Sequence, residues 1–252
     1  MIEDLKVKTI LVSQPEPKSG TSPYHELGKS QKVNVDFRSF IHLEPVAASD
    51  VRQQKVSFTD HTAVILTSRH AADHYFRICQ EMRFEVPTSM KYFCMSEAIA
   101  FYLQKYITYR KRKIYYGKQR FVDLIGSIKK HKTENFLLPS SDILKPVIPQ
   151  LLEDNGINYT RVVLYKTVCS DLSDLENVFY DVLVFFSPSG IKSLFQNFPN
   201  FEQNNTRIAA FGKTTLKAVA DAGLKVDIEA PTAKAPSMTM AIEQYIKKVN
   251  KK

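Results

Sequence analysis

The chain has 252 residues, of which 44% are hydrophobic and 24% are charged. This globular composition excludes an intrinsically disordered, collagen-like or coiled-coil chain, and the length allows one large domain or two small ones. Lys and Arg number 35 against 26 Asp and Glu, and the resulting net charge of +9 favours an anionic partner, whether nucleic acid, a membrane surface or a carboxylate- or phosphate-bearing metabolite.

Short apolar or β-branched runs alternate with helical patterns along the chain. Several of the runs are apolar throughout, as in strands of a parallel sheet that is covered on both faces. The predicted strands are Thr9–Ser13, Ala63–Thr67, Lys91–Cys94, Phe136–Leu138, Arg161–Tyr165, Asp181–Phe186, Arg207–Phe211 and Lys225–Ile228. The predicted helices are Ser68–Glu81, Ser96–Tyr106, Asp142–Asn155, Thr214–Ala222 and Pro236–Val249. Strand, short turn and helix in repetition predict an α/β fold.

One module of this pattern occurs twice. Ser68 and Ser96 follow two strands of the first half, and Ser187 and the Gly212–Thr215 turn follow two strands of the second. Two similar α/β halves are therefore predicted. In open α/β sheets ligands bind beyond the carboxyl ends of the strands, where hydroxyls and free N–H groups at helix starts suit a carboxylate. The alternative is that these hydroxyls only cap helices.

The N-terminal residues and the cysteines indicate the cellular compartment. Met1–Lys6 has acids where a secretion signal needs bases, and no run approaches the roughly 18 apolar residues of a membrane span. Cys79, Cys94 and Cys169 have no short spacing, which favours reduced thiols over a disulfide framework or a cysteine zinc site. We therefore expect a soluble, cytoplasmic protein.

The motif inventory favours no metal and no nucleotide cofactor. The sequence contains no HExxH, Walker loop, GxGxxG or GxSxG motif. His70 and His74 have a spacing that can bind metal, but no third ligand is indicated, so a solvated helix face is favoured. An enzyme with this inventory works by positioning, polar contacts and a tyrosine or threonine hydroxyl.

The densest basic run extends from Lys105 to Arg120 and is interleaved with tyrosines. Such a run resembles a surface for single-stranded nucleic acid. It also suits a rim that faces an anionic substrate, and a solvated helix end and loop is favoured over both.

The last third of the chain resembles the uroporphyrinogen-III synthase family. The resemblance rests on the order and spacing of Val163–Val168, Val182–Ile191, Ile208–Ala218, Ala222–Leu224 and Ala230–Thr232. The first half agrees more faintly through Ile10–Pro15, Val64–Ala71 and Phe136–Pro139.

This resemblance implies two similar parallel-sheet α/β domains joined by a two-stranded connector, with a ligand cleft between them. The expected domains are 1–36 with 168–252, built from both chain ends, and 37–167, inserted between them. The chain would cross between them near Val33–Val46 and Tyr159–Val168.

The resemblance also implies the reaction. The family is a cyclising hydro-lyase of tetrapyrrole and heme biosynthesis. It closes hydroxymethylbilane to uroporphyrinogen III with loss of water and inversion of ring D, and uses no cofactor or metal. Because the substrate carries many carboxylates, a positive site makes physical sense. The enzyme's main task is to orient a flexible chain and to stabilise the charge that develops as the hydroxyl leaves.

The resemblance assigns roles to particular residues. Tyr165 matches a family tyrosine that faces the cleft, and it would assist departure of the hydroxyl as a weak general acid; the alternative is a strand tyrosine packed at a domain edge. Carboxylate binding is expected from a set of turn residues in both halves. The set is Ser187, Ser189, Gly190, Gly212, Lys213, Thr214 and Thr215 with Ser68, Arg69 and Ser96.

Two departures from the family pattern stand out. Gln14 replaces the usual arginine of the first turn, and Ala98 stands where a threonine is frequent. Lys213 and the basic run are candidates to restore the lost charge.

Three readings stay open at this point. The first is the enzyme. The second is a two-domain α/β binding protein for a small polyanionic ligand without catalysis, which would have no use for Tyr165. The third is a nucleic-acid binder. We expect the enzyme, a monomer acting on a small linear tetrapyrrole, with neither nucleic acid nor a membrane as partner.

Overall fold

The computed structural model describes residues 6–17 and 22–250, so the acidic start of the chain, on which the absence of a secretion signal was argued, lies outside the described residues. The chain divides into two compact units: unit 1 is Met1–His42 with Val168–Lys252, and unit 2 is Leu43–Thr167. The chain passes from one unit to the other within two strands, Ile41–Pro45 and Tyr159–Cys169.

The described residues form two sheets with helices between the strands. The strands are β1 Thr9–Val12, β2 Asn34–Phe37, β3 Ile41–Pro45, β4 Ala63–Leu66, β5 Lys91–Cys94, β6 Ile114–Tyr116, β7 Phe136–Ser141, β8 Tyr159–Cys169, β9 Val182–Phe185, β10 Arg207–Phe211 and β11 Val226–Ala230. The helices are α1 Pro23–Gln31, α2 Ala48–Gln53, α3 Arg69–Glu81, α4 Glu97–Tyr102, α5 Val122–Lys129, α6 Val147–Asp154, α7 Pro188–Asn197, α8 Lys213–Asp221 and α9 Met238–Asn250. The α/β class with parallel sheets is confirmed.

Unit 1 is built on a five-stranded parallel sheet in the order β11-β10-β9-β1-β2. Successive residues of a strand point to opposite faces, so its apolar strands supply two cores. Ile10, Val12 and Val184 pack on one face with residues of α1 and α9, and Leu11 and Phe185 pack on the other with residues of α7 and α8.

Unit 2 contains a six-stranded sheet in the order β3-β8-β7-β4-β5-β6, and its strands from β8 to β6 run parallel. Val64 and Leu66 face a core that includes α3 and α4, while Ala63 and Ile65 face a second core that includes α5 and α6. The strand pairs β4–β5 and β9–β10 are each neighbouring and parallel, so the module that the sequence repeats is the same structural unit in both halves.

The helix expected from Asp142 begins later. The structure starts α6 at Val147, with Pro146 before it. Asp142 instead belongs to a loop: its backbone N–H donates to the carbonyl of Tyr165 at 3.1 Å, and its Oδ1 accepts from the N–H of Thr167 at 2.9 Å. The prediction of an N-cap at Asp142 was wrong because the side chain caps a strand edge instead of a helix.

The sequence-based analysis missed β6, which lies within the basic run, and α5, which follows it. The strand is only three residues long and lies at the sheet edge next to β5. A run of three residues is too short to show the periodicity of a strand, and the neighbouring residues of β6 are basic and aromatic instead of apolar. Within residues 6–17 and 22–250, no helix combines the length and the apolar character needed to cross a membrane.

Gln54 closes a gap at the edge of β8. Its Nε2 donates to the carbonyl of Val163 at 2.8 Å, and its Oε1 accepts from the N–H of Val163 at 2.8 Å. The neighbouring strand β3 has ended at Pro45, and the N–H of Val46 donates to the carbonyl of Leu164. The Gln54 amide therefore replaces a strand residue.

We expect Gln54→Ala to lower the free energy of unfolding by about 1–2 kcal/mol, because it removes both hydrogen bonds from a half-buried peptide group. Gln54→Glu should cost more at neutral pH, since a carboxylate cannot donate to the carbonyl of Val163. Urea denaturation measures both. The matched control is Gln53→Ala, at an exposed position on the same helix. Equal stability of the Gln54 and Gln53 variants would show that the pairing contributes nothing.

Candidate functional site

The turn after β4 carries two of the predicted residues, Ser68 and Arg69. Ser68 is the N-cap of α3, and its Oγ accepts from the N–H of Ala71 at 3.0 Å. The same Oγ lies 3.4 Å from the Oη of Tyr165, which comes from β8. Ser68 thus caps its helix, as one reading of the sequence expected, and also contacts the predicted catalytic tyrosine.

Tyr165 is held in a buried position, with 7% of its surface exposed. Burial raises the pKa of its phenol above the ordinary value, the contact with Ser68 opposes this rise, and the charge of Asp142 adds to it. The hydroxyl is therefore protonated at neutral pH and is available as a donor.

Arg69 opens α3 beside an aromatic group. Its Cζ lies 5.4 Å from the ring centroid of Tyr102, within the range of a cation–π contact. The side chain is exposed, and among the described residues no carboxylate forms an ion pair with it. Its positive charge is available to a ligand carboxylate.

Asp73 lies one helical turn further along α3, at the centre of a polar cluster that the sequence did not indicate. Its carboxylate accepts hydrogen bonds from the hydroxyls of Tyr102 and Tyr106 and from Lys105 Nζ at 3.0 Å. Burial raises the pKa of Asp73, but these hydrogen bonds outweigh burial, so its pKa lies below the ordinary value. The cluster ties the start of the basic run to α3.

Ser96 occupies the corresponding position after β5. It is the N-cap of α4, yet its side chain makes no capping hydrogen bond. Its backbone pairs with Lys118 in an isolated antiparallel bridge. Lys118 is therefore the member of the basic run that the structure brings to Ser96. Ala98 is exposed on α4.

In unit 1 the turn after β9 repeats the arrangement around Ser68. Ser187 is the N-cap of α7, and its Oγ accepts from the N–H of Gly190 at 3.3 Å. A Cβ on Gly190 would lie 3.1 Å from Cδ1 of Phe185 and 3.7 Å from Oγ of Ser13. Gly190 therefore permits close packing of α7 on the sheet, while Ser187 and Ser189 are half-buried at the turn.

The turn after β10 has no side-chain cap. Gly212 stands at the N-cap with a φ of 84° that favours glycine, and its N–H donates to the carbonyl of Ala230 at 2.7 Å. Lys213 and Thr214 are exposed, and their N–H groups precede the first intrahelical bond of α8, which the N–H of Thr215 donates to the carbonyl of Gly212 at 3.0 Å. An anion would be stabilised there by the charge of Lys213 and by these donors.

Thr215 differs from the other residues of this turn. Only 1% of its surface is exposed, and within the described part of the chain its Oγ1 has no hydrogen-bond partner. Gln14, the departure noted in the first turn, is exposed after β1.

The predicted residues thus form two sets. Ser68, Arg69 and Tyr165 share one neighbourhood of unit 2, and Ser96 follows the adjacent strand. The set of unit 1 follows the neighbouring strands β9 and β10: Ser187, Ser189, Gly190, Gly212, Lys213, Thr214 and Thr215.

The other nucleophiles are poor candidates for chemistry. Cys79 and Cys94 are buried, and burial raises the pKa of each thiol to about 12. Both are protonated at neutral pH, and a thiol is a weak nucleophile. In the ranges 6–17 and 22–250, no cluster of three His, Cys, Asp or Glu side chains could hold a metal ion.

His74 is the neighbour of Tyr165 that the sequence-based analysis did not identify. Its ring stacks on that of Tyr165 with a centroid distance of 4.6 Å and an interplanar angle of 15°. The i, i+4 spacing of His70 and His74 on α3 pointed to a solvated face. His70 is exposed, but His74 is half-buried. No local signal in the sequence links residue 74 to residue 165.

Comparisons with known proteins agree with this architecture. A family model described as uroporphyrinogen-III synthase HemD matches residues 22–240. The chain is 31% identical over 139 residues to a uroporphyrinogen-III synthase of Saccharomyces cerevisiae, covering 49% of this chain and 50% of that one. It is 30% identical over 124 residues to the protein of that name from Chlorobaculum parvum, covering 46% and 50%. These matches span about half the length of either relative.

Solved structures show the same fold. A uroporphyrinogen-III synthetase from Helicobacter pylori superposes with a TM-score of 0.60 at 17% identity, covering 95% of this chain and 99% of that one. A mutant uroporphyrinogen III synthase from Thermus thermophilus gives a TM-score of 0.56 at 11% identity, covering 98% and 100%.

Proposed function

The chain belongs to the uroporphyrinogen-III synthase family, and from this premise we propose that it cyclises hydroxymethylbilane to uroporphyrinogen III. The reaction would be that of a cyclising hydro-lyase of tetrapyrrole and heme biosynthesis. The bilane loses its terminal hydroxyl as water, and the ring closes at the substituted carbon of ring D, so that this ring is inverted.

The observation that carries the proposal is the placement of Tyr165 beside the turn of Ser68. A buried, protonated phenol lies 3.4 Å from the Oγ of a helix N-cap, at the strand ends where α/β sheets bind ligands. In the proposed mechanism the phenol O–H donates a hydrogen bond to the leaving hydroxyl as its C–O bond breaks. Such assistance lowers the barrier because charge on the departing oxygen is stabilised.

Carboxylate recognition is assigned to the turns of both units. In unit 2, Arg69 supplies a guanidinium that can hold a carboxylate through two parallel hydrogen bonds. In unit 1, Lys213 and the free N–H groups of α8 supply charge and donors, and the hydroxyls of Thr214 and Ser189 supply further hydrogen bonds. These contacts would orient a flexible chain, which is how positioning lowers the entropic cost of ring closure.

Three members of the basic run have identified partners. Lys105 is paired with Asp73, Arg120 with Asp123, and Lys118 lies at Ser96. We assign Lys118 to the substrate set on this ground. The proposed partner is the tetrapyrrole alone, and the proposed active form is a monomer in the cytoplasm.

The proposal is tested by the isomer that the purified full chain produces. Freshly generated hydroxymethylbilane is incubated with the protein, the products are oxidised, and the uroporphyrin isomers are separated. We expect isomer III, against isomer I in a reaction without protein, because the bilane closes spontaneously without inversion.

The binding-protein alternative predicts a different result in the same isomer assay. A protein that only binds the polyanion would change the rate at which the bilane disappears and would yield isomer I. Isomer I alone at every protein concentration would therefore overturn the proposed activity.

A further inference from the structure

His74 covers one face of the Tyr165 ring. The two rings are nearly parallel, with centroids 4.6 Å apart and an angle of 15° between their planes. A quarter turn of the phenol about its ring axis would break the stack, so the plane of the ring is restricted. Because the O–H bond of a phenol lies close to the plane of its ring, the stack also restricts the directions in which this bond points. The Oη itself lies 3.4 Å from the Oγ of Ser68.

Arg77 contacts His74 and the backbone next to Tyr165. Its Nε donates to Nδ1 of His74 at 3.4 Å. Its Nη2 donates to the carbonyl of Val46 at 2.9 Å and to the carbonyl of Leu164, the residue before Tyr165, at 3.3 Å. Nη1 pairs with Glu81 at 2.6 Å, which fixes the guanidinium on α3.

The contact with Arg77 determines the form of the imidazole. Arginine remains charged and has no acceptor, so the Nδ1 that faces it must accept, and the hydrogen of a neutral ring is on Nε2. Protonating Nδ1 would break this bond and place a second positive charge beside the guanidinium.

We propose that His74, held neutral by Arg77, is a positioning residue that orients the hydroxyl of Tyr165 for departure of the substrate hydroxyl. This inference rests on the proposed function, because it assigns His74 a part in that reaction. His74 acts through Tyr165 and does not itself need to contact the substrate.

The charged and titratable surroundings of His74 support a neutral ring. Burial lowers the pKa of His74, the positive charge of Arg77 and the neighbouring His70 lower it further, and Asp73 and Glu81 on the same helix oppose them. Tyr165 faces the imidazole ring from β8, and the charge of Asp142 acts on Tyr165. Because the net effect lowers the pKa, the imidazole of His74 is still mainly neutral at pH 6.5, its ordinary pKa.

The inference is tested with His74→Ala and His74→Phe in the full chain, through kcat and KM from about pH 5 to pH 8. His74→Ala should lower kcat about tenfold with little change in KM, since orientation of the phenol is lost while the carboxylate contacts remain. His74→Phe keeps an aromatic ring and should retain kcat at pH 8 to within about twofold.

In the parent, protonation of the imidazole should lower kcat at acid pH. Because phenylalanine does not titrate, this decrease should be absent from His74→Phe. Gln80→Ala, at an exposed position of the same helix, is the control and should behave as the parent. An unchanged kcat in His74→Ala, or an acid fall that persists in His74→Phe, would overturn the inference.

A measurement without substrate separates this inference from the proposed function. The imidazole signals of His74 in an NMR titration should shift with a midpoint below pH 6.5 and should lose their ring-current displacement in Tyr165→Leu. If the parent makes no isomer III, the proposed function fails whatever the titration shows. A midpoint at or above pH 6.5, or signals that are unaffected by Tyr165→Leu, would show that His74 is not held neutral against Tyr165.

Discussion

Replacing Asp181 with alanine should lower the free energy of unfolding of unit 1 by about 3 kcal/mol, since it leaves two half-buried donors of Thr9 without this acceptor and removes the carboxylate that faces the buried Arg207. Asp181 lies just before β9. Its Oδ2 accepts from the backbone N–H of Lys8 at 2.8 Å, from that of Thr9 at 2.9 Å and from the hydroxyl of Thr9 at 3.1 Å. One carboxylate oxygen thus ties the start of β1 to the start of β9.

The same residue faces the next strand of the sheet. Oδ1 of Asp181 lies 4.0 Å from Nη1 of Arg207, a side chain with 3% exposure, and the carbonyl of Asp181 accepts from the N–H of Arg207 at 2.9 Å. The strands β1, β9 and β10 are neighbours in the sheet order. Loss of the carboxylate therefore weakens the three central strands together and removes negative charge from a buried cation.

Asp181→Asn separates the two contributions. The asparagine keeps one carbonyl oxygen to accept from β1 but carries no charge, so we expect about half of the loss seen with alanine. Urea denaturation gives the stability, and hydrogen exchange of the amides of β1 and β9 assigns the change to unit 1. An alanine variant within about 0.5 kcal/mol of the parent would show that water replaces this carboxylate without cost.

Tyr165→Phe should lower kcat about tenfold and leave KM nearly unchanged, because it removes the hydrogen bond that we propose forms to the leaving oxygen as the C–O bond breaks. A tenfold fall corresponds to about 1.4 kcal/mol on the barrier. The ring of phenylalanine keeps the stack on His74, so the fold of unit 2 should not change. The measurement is the initial rate of isomer III formation at saturating bilane.

The pH dependence of this role has a definite direction. A phenol donates only while it is protonated, and burial raises the pKa of Tyr165 above its ordinary value of about 10. Activity that depends on this donor should therefore persist through neutral and moderately alkaline pH. It should be lost only as the pH passes the raised pKa.

Tyr159→Phe is the matched control for Tyr165→Phe. Tyr159 lies on the same strand, and its hydroxyl donates to Glu153 at 3.2 Å, away from the turn of Ser68. We expect this variant to keep the parental kcat. If both tyrosine variants retain full activity, the leaving hydroxyl departs without help from Tyr165 and the assigned role is wrong.

The four strands that precede the site turns, β4, β5, β9 and β10, were predictable because they are short, apolar and largely buried on both faces. Lys91–Cys94 and Arg207–Phe211 were predicted with the bounds that the structure has, and the serine caps at Ser68 and Ser187 were expected at the helices they begin. A buried strand and an N-cap are local signals, since each depends on a few adjacent residues.

Elements with competing signals were not predictable in the same way. Asp142 has the side chain of an N-cap, yet its best hydrogen-bond partner is the N–H of Thr167 on β8. Gln54 has no strand-like neighbourhood, yet its amide completes the edge of β8 at Val163. In both cases the partner is far along the chain, so only the folded arrangement creates the interaction.

Local patterns along the chain were enough to predict the α/β class, the repeated strand–turn–helix module, the positive charge and the turn residues available to bind carboxylates. These properties follow from periodicity and composition, which a chain carries before it folds. Only the folded chain shows that the ring of His74 lies on Tyr165 and that Arg77 bonds both His74 and the carbonyl of Leu164. It also shows that Asp73 and Asp123 pair with two cations of the basic run. These contacts depend on angstrom-scale distances between separate elements, and such distances are set by how the helices pack on the sheet.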